Sequence, residues 1–114
     1  MYLYEQIITD TRKLETTIGL ARKYSLDYAE KERQYRILLS QRLVQLRAEG
    51  QAVTSLNDIV RGEKEVSTLR YNRDVAEGMK DSAKETINYL KLKLRLLEAQ
   101  LEREYSQTKR SIGG

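Results

Sequence analysis

From Tyr4 to Leu46 apolar side chains return in alternating steps of three and four residues, and no proline interrupts the chain anywhere. The positions run Tyr4, Ile7, Thr11, Leu14, Ile18, Ala21, Ser25, Tyr28, Glu32, Tyr35, Leu39, Arg42 and Leu46; nine of these thirteen are apolar, over six heptads. Steps of three and four bring side chains to one face of an α-helix, whereas a strand alternates in steps of two. The seam is soft at Thr11, Ser25, Glu32 and Arg42, and Gly19 inside it costs about 1 kcal/mol against alanine. A second seam runs Val66, Leu69, Arg73, Ala76, Met79, Ala83, Ile87, Leu90, Leu94, Leu97, Leu101 and Tyr105.

Between the seams lie the signals of a connector. Gly50 suits the left-handed residue just beyond a helix C-terminus. Ser55-x-x-Asp58 has the form of a capping box, ahead of an apolar patch of Leu56, Ile59 and Val60, with Val53 just upstream. Glu63 and Glu65 suit the positive end of a helix dipole. The spacing therefore predicts an all-α chain, one helical domain over 1–114: a long helix over about 2–49, a connector with a short helix over about 50–62, a second long helix over about 63–106, and a frayed tail over 107–114. A short connector favours antiparallel neighbours, so the expected fold is a coiled-coil-like antiparallel hairpin, roughly 80% helical or more. Gly78 followed by Ser82-x-x-Glu85 is the one place where the second helix could kink.

The missing residue types exclude whole classes of chemistry. The chain has no cysteine and no histidine. That removes thiol redox chemistry, imidazole acid–base catalysis, the usual zinc ligands and the Glu-x-x-His di-iron motif. No glycine-rich loop with Lys-Ser/Thr opens a helix, so there is no phosphate cradle of the P-loop kind. Carboxylate clusters such as Glu30/Glu32 and Glu102/Glu104 read as solvated helix faces. We expect no enzyme, no small-molecule substrate, no metal and no organic cofactor. No apolar run approaches 18 residues, and the first ten residues lack the basic and apolar regions of a signal peptide; a soluble, cytoplasmic protein without membrane contact is expected.

Two surface patterns could carry binding. Arg73, Lys80, Lys84, Lys91 and Arg95 fall along one face of the second long helix and could track a phosphate backbone. Glu77, Glu85, Glu98 and Glu102 lie among them, as on a solvated, self-paired face. The formal charge of +4 does not concentrate in either half: residues 1–49 hold nine basic and seven acidic side chains, residues 62–114 eleven and nine. The other pattern is aromatic and apolar. Tyr24, Tyr28 and Tyr35 share a flank of the first helix, Leu56 and Ile59 stand on the connector, and Tyr89, Leu92 and Leu96 lie off the seam of the second. Tyrosine beside arginine could stack on bases but is also the composition of protein contacts. With no Phe or Trp, tyrosine must supply all the aromatic bulk available for packing or subunit contact. An apolar stripe broader than one partner helix can cover predicts association, into a four-helix bundle as a homodimer or a higher even oligomer.

The run Val53-Thr54, Asn57 to Val66, Leu69-Arg70, Arg73 to Glu77, Ile87-Asn88, Lys91 and Leu94 to Glu104 resembles a group of small helical proteins from temperate phages and prophages of Gram-positive bacteria. Tyr28-Ala29, Tyr35-Arg36 and Gly50 fit the same group, so the resemblance spans most of residues 24–105. It departs at Tyr105, where such proteins often have tryptophan. The resemblance implies a setting rather than a mechanism: an early-region phage protein in the cytoplasm of a bacterial host, encoded near replication and recombination genes. It carries no functional residues. The reading that follows is a non-catalytic accessory protein that binds another phage or host protein, in phage DNA metabolism or as an inhibitor of a host or defence enzyme. The alternatives are a nucleic-acid-binding dimer using the basic face and a structural coiled-coil spacer.

Overall fold

The computed structural model describes residues 2–113. It contains three helices: α1 (Tyr2–Ala48), α2 (Val53–Arg61) and α3 (Lys64–Gly113). Helix takes up 94% of the chain, above the 80% expected, and no strand occurs among the described residues. α3 runs unbroken past Gly78 and extends to Gly113.

The ends of the connector follow from local chemistry. Gly50 has φ +86°, and the backbone bonds Gln51 N–H to Leu46 O (3.2 Å) and Gly50 N–H to Arg47 O (3.1 Å) close α1 in a Schellman motif. The capping box at Ser55 does not form. α2 starts earlier, behind Ala52, which has no side-chain cap, and the Ser55 hydroxyl donates to Ala52 O at 3.4 Å. Glu63 precedes α3; its carbonyl accepts from Ser67 N–H at 2.8 Å and so opens the helix.

Two compact units divide the described residues: Arg22–Asp81 form one, and the residues up to Ala21 with those from Ser82 onward form the other. In the Arg22–Asp81 unit the two long helices run antiparallel. Tyr28 meets Lys80 and, one heptad on, Tyr35 meets Arg73 one heptad back. The core gathers Tyr35 and Leu46 of α1, Leu56 and Val60 of α2, and Val66 of α3, with Leu38, Leu39, Leu43 and Leu69 packed against them. Leu56 and Val60, four residues apart, turn the same face of α2 inward, so the connector closes the hairpin end. Arg42 and Glu63 fasten it from outside, with Nη2 to Oε2 at 2.8 Å.

In the other unit Leu3, Asp10, Ala83, Leu90 and Leu94 are buried. Pairing is again antiparallel, with Asp10 beside Lys93 and the Thr16-Thr17 turn sharing a groove with Thr86. Here the register of α1 departs from the predicted seam by one residue. Leu3 and Asp10 are covered; Tyr4 and Thr11 are exposed. Ile7, Leu14 and Ile18 of the predicted seam stay half-buried, so the change is that Leu3 and Asp10 are covered in place of Tyr4 and Thr11. The α3 seam holds with two exceptions: Lys80 rather than Met79 turns inward, and Tyr105 is exposed.

Candidate protein-contact surface

The residues singled out by sequence divide into those used internally and those presented outward. Tyr35 and Leu56 belong to the core of the Arg22–Asp81 unit, so neither is free to meet a partner. They are among the apolar side chains there that can fill the space where three helices converge. Tyr24 and Tyr28 are half-buried, with the Lys80 ammonium 4.5 Å from the Tyr28 ring centroid. Ile59, three residues on from Leu56, remains 45% exposed.

The basic line is likewise divided. Arg73 sits 4.6 Å over the Tyr35 ring and ion-pairs with Glu32 and Asp74. Lys80 stacks on Tyr28 with Asp81 3.9 Å away. Cations over aromatic faces in such positions contribute about 0.5–2 kcal/mol each. Lys84, Lys91 and Arg95, in the other unit, are exposed. Two of the five cations are thus engaged within the Arg22–Asp81 unit, and the other three are exposed.

Beneath Arg73 lies a polar contact that the sequence did not announce. Hydrogen bonding from Arg36 lowers the Glu32 carboxyl from its ordinary value; burial opposes this and the Arg73 charge adds to it. Arg73 Nη1 reaches the buried Glu32 Oε2 at 3.3 Å.

The surface that stays open is on α3, among the residues from Ser82 onward. Tyr89, Leu92 and Leu96 are 62%, 52% and 62% exposed. Their spacing of three and four brings them to one face, and exposed Ala99 continues it. Glu85 and Arg103 end the same face, and among the described residues neither makes an ion pair. Read in order, Glu85, Tyr89, Leu92, Leu96, Ala99 and Arg103 are spaced four, three, four, three and four. That spacing is the same in both directions, centred between Leu92 and Leu96. Sequence reasoning found the three apolar members and missed the charged ends. Only the burial of the neighbouring seam, Ala83, Leu90 and Leu94, separates this face from the one spent within the chain.

Among the described residues no three carboxylates come together as a metal site, and no helix is long and apolar enough to cross a membrane. Comparison with protein-family models, with curated proteins and with solved structures finds no match to this chain.

Proposed function

We propose that the protein is a non-catalytic accessory protein that works by protein–protein contact, and that its first partner is a second copy of itself. The observation that carries this reading is the reversible face of α3. Turned about a two-fold axis between Leu92 and Leu96, the face meets itself running the other way. Leu92 then packs on the partner's Leu96, Tyr89 on the partner's Ala99, and Glu85 faces the partner's Arg103. A self-complementary patch of this kind is what an isologous contact requires. Burying a few hundred Å² of apolar surface contributes several kcal/mol at about 25 cal/mol per Å². The paired charges at each end set the antiparallel register more than they add affinity.

We take the target of the assembled protein to be another phage or host protein, in phage DNA metabolism or as an inhibitor of a host or defence enzyme, in keeping with the resemblance over residues 24–105. The test is light scattering on the native chain and on Leu92→Glu/Leu96→Glu. The native protein should run as a dimer or higher even oligomer at micromolar concentration, and the variant should run smaller. A well-folded native monomer of 13.3 kDa defeats the reading.

A further inference from the structure

Four arginines from three helices line one open cleft in the Arg22–Asp81 unit. Arg36 comes from α1, Arg61 ends α2, and Arg70 and Arg73 stand on the first part of α3; Tyr35, Ser40 and Glu32 complete the polar lining of a space of about 430 Å³. The only carboxylate in that lining is Glu32, and it is already taken up by Arg36 and Arg73. Arg61 and Arg70 are exposed, and among the described residues neither makes an ion pair or a side-chain hydrogen bond. Against Glu32 in the lining, and Asp74 paired with Arg73 at its edge, four guanidinium groups leave an excess of two positive charges on one small concavity. Outside this cleft the chain keeps its charges nearly balanced, at 17 basic to 15 acidic.

The geometry points to a phosphate-binding site in this cleft, with Arg61 and Arg70 as the primary ligands. Guanidinium forks match the oxygens of a phosphate and bind them through paired, charge-assisted hydrogen bonds. The Glu32 contacts hold Arg36 and Arg73 in place and leave Arg61 and Arg70 to meet the anion, with the Ser40 hydroxyl as a further donor. Base recognition is not part of the site: Tyr35, the aromatic side chain lining it, is buried and its face is covered by Arg73. The ligand is therefore recognised by its phosphate, either as a discrete phosphorylated molecule or as a nucleic-acid backbone. The site lies on a different unit from the α3 face and does not rest on self-association.

Titration calorimetry of the full chain at low ionic strength, with inorganic pyrophosphate and separately with single-stranded oligothymidylate, tests this. At least one probe should bind, and Arg61→Gln/Arg70→Gln should weaken it by about tenfold or more while the circular dichroism spectrum stays helical. Lys91→Gln/Arg95→Gln, which removes the same charge from the other unit, should leave affinity unchanged. Comparable affinity for both probes identifies a discrete phosphate ligand. Binding of oligothymidylate alone, with a steep salt dependence lost in Arg61→Gln/Arg70→Gln, identifies a backbone. Failure of both probes to bind, or equal weakening by the two double variants, overturns the proposal.

Discussion

Lys93 Nζ stands 3.1 Å from Oδ2 of Asp10, whose side chain has no exposed surface. Gln6 Nε2 donates to both oxygens of the same carboxylate, at 3.2 and 3.1 Å. Burial pushes the Asp10 carboxyl up. The hydrogen bonds from Gln6 and Lys93 and the charges of Lys93 and Lys13 outweigh it, and the net value falls below the ordinary one. This buried charge takes an inward position in a helix pair that otherwise covers Leu3, Ala83, Leu90 and Leu94. In a shifted register that left it without Gln6 and Lys93, it would be a buried, unpaired charge, which is costly.

Removing one partner should cost more than removing both. Asp10→Ala leaves Lys93 and Gln6 without their acceptor and should destabilise the fold by about 1–3 kcal/mol. Asp10→Leu/Lys93→Leu should cost less than either single change, because no unmatched charge remains. Urea denaturation of Asp10→Ala, Lys93→Leu and the double variant, followed by circular dichroism, measures this. A double variant less stable than Asp10→Ala would show that the pair stabilises beyond its own desolvation.

Stability should fall in acid and stay flat near neutrality. Asp10 and Glu32 are both held below their ordinary values, and hydrogen bonds from Arg33 and Gln34 hold exposed Glu30 down to about 2. A carboxyl depressed in the folded state contributes stability that is complete above its unfolded value. That contribution is lost as pH falls through the folded one. The melting temperature should therefore drop from about pH 4 downward, and Asp10→Asn should flatten that drop. With no histidine in the chain, little should change between about pH 6 and 8. A melting temperature that held steady down to about pH 2 would contradict this account.

Arg73 and Arg70 are three residues apart on α3 and should behave differently. Arg73→Met gives up the Tyr35 ring and the Glu32 contact and should cost about 1–2 kcal/mol. Arg70→Gln, on an exposed side chain, should stay within about 0.5 kcal/mol of the native chain. A double-mutant cycle of Arg73→Met with Tyr35→Leu should report a coupling of about 0.5–2 kcal/mol; no coupling would mean that the stacked geometry adds nothing to stability.

The reversible α3 face makes a charge-swap experiment informative. Glu85→Arg opposes two like charges at each end of the proposed dimer and should raise its dissociation constant by about tenfold. Arg103→Glu should do the same, and the double swap should restore association. Sedimentation of the four proteins decides it. Additive losses in the double swap would show that the two residues do not meet across the interface.

Glycine replacements should change sign with conformation. At φ +86°, Gly50→Ala should destabilise by about 1 kcal/mol, with Gly50→Asn tolerated better. Gly19 and Gly78 lie in helices with open space where a methyl would go. Alanine there should stabilise by about 0.5–1 kcal/mol each. Thermal melts of the three alanine variants suffice; a stabilising Gly50→Ala would contradict the left-handed turn.

What the sequence determined by itself is whatever depends on neighbours within a few turns. The three helices, the turn at Gly50, the start of α3 after Glu63 and most of the α3 seam follow from propensity, spacing and capping chemistry, which act over roughly four residues. Tertiary structure decided which of two adjacent residues faces inward where the repeat is soft. Leu3 and Asp10 turn in at the start of α1 rather than Tyr4 and Thr11, and Lys80 turns in rather than Met79. It also decided that Tyr35, Leu56, Arg73 and Lys80 serve the interior of one unit while Tyr89, Leu92 and Leu96 are left outside. The reason is angular. Neighbouring positions on a helix are about 100° apart, so where the seam is soft local spacing leaves either of two residues able to face inward, and contacts such as Asp10 with Lys93, which join residues far apart in the chain, decide between them.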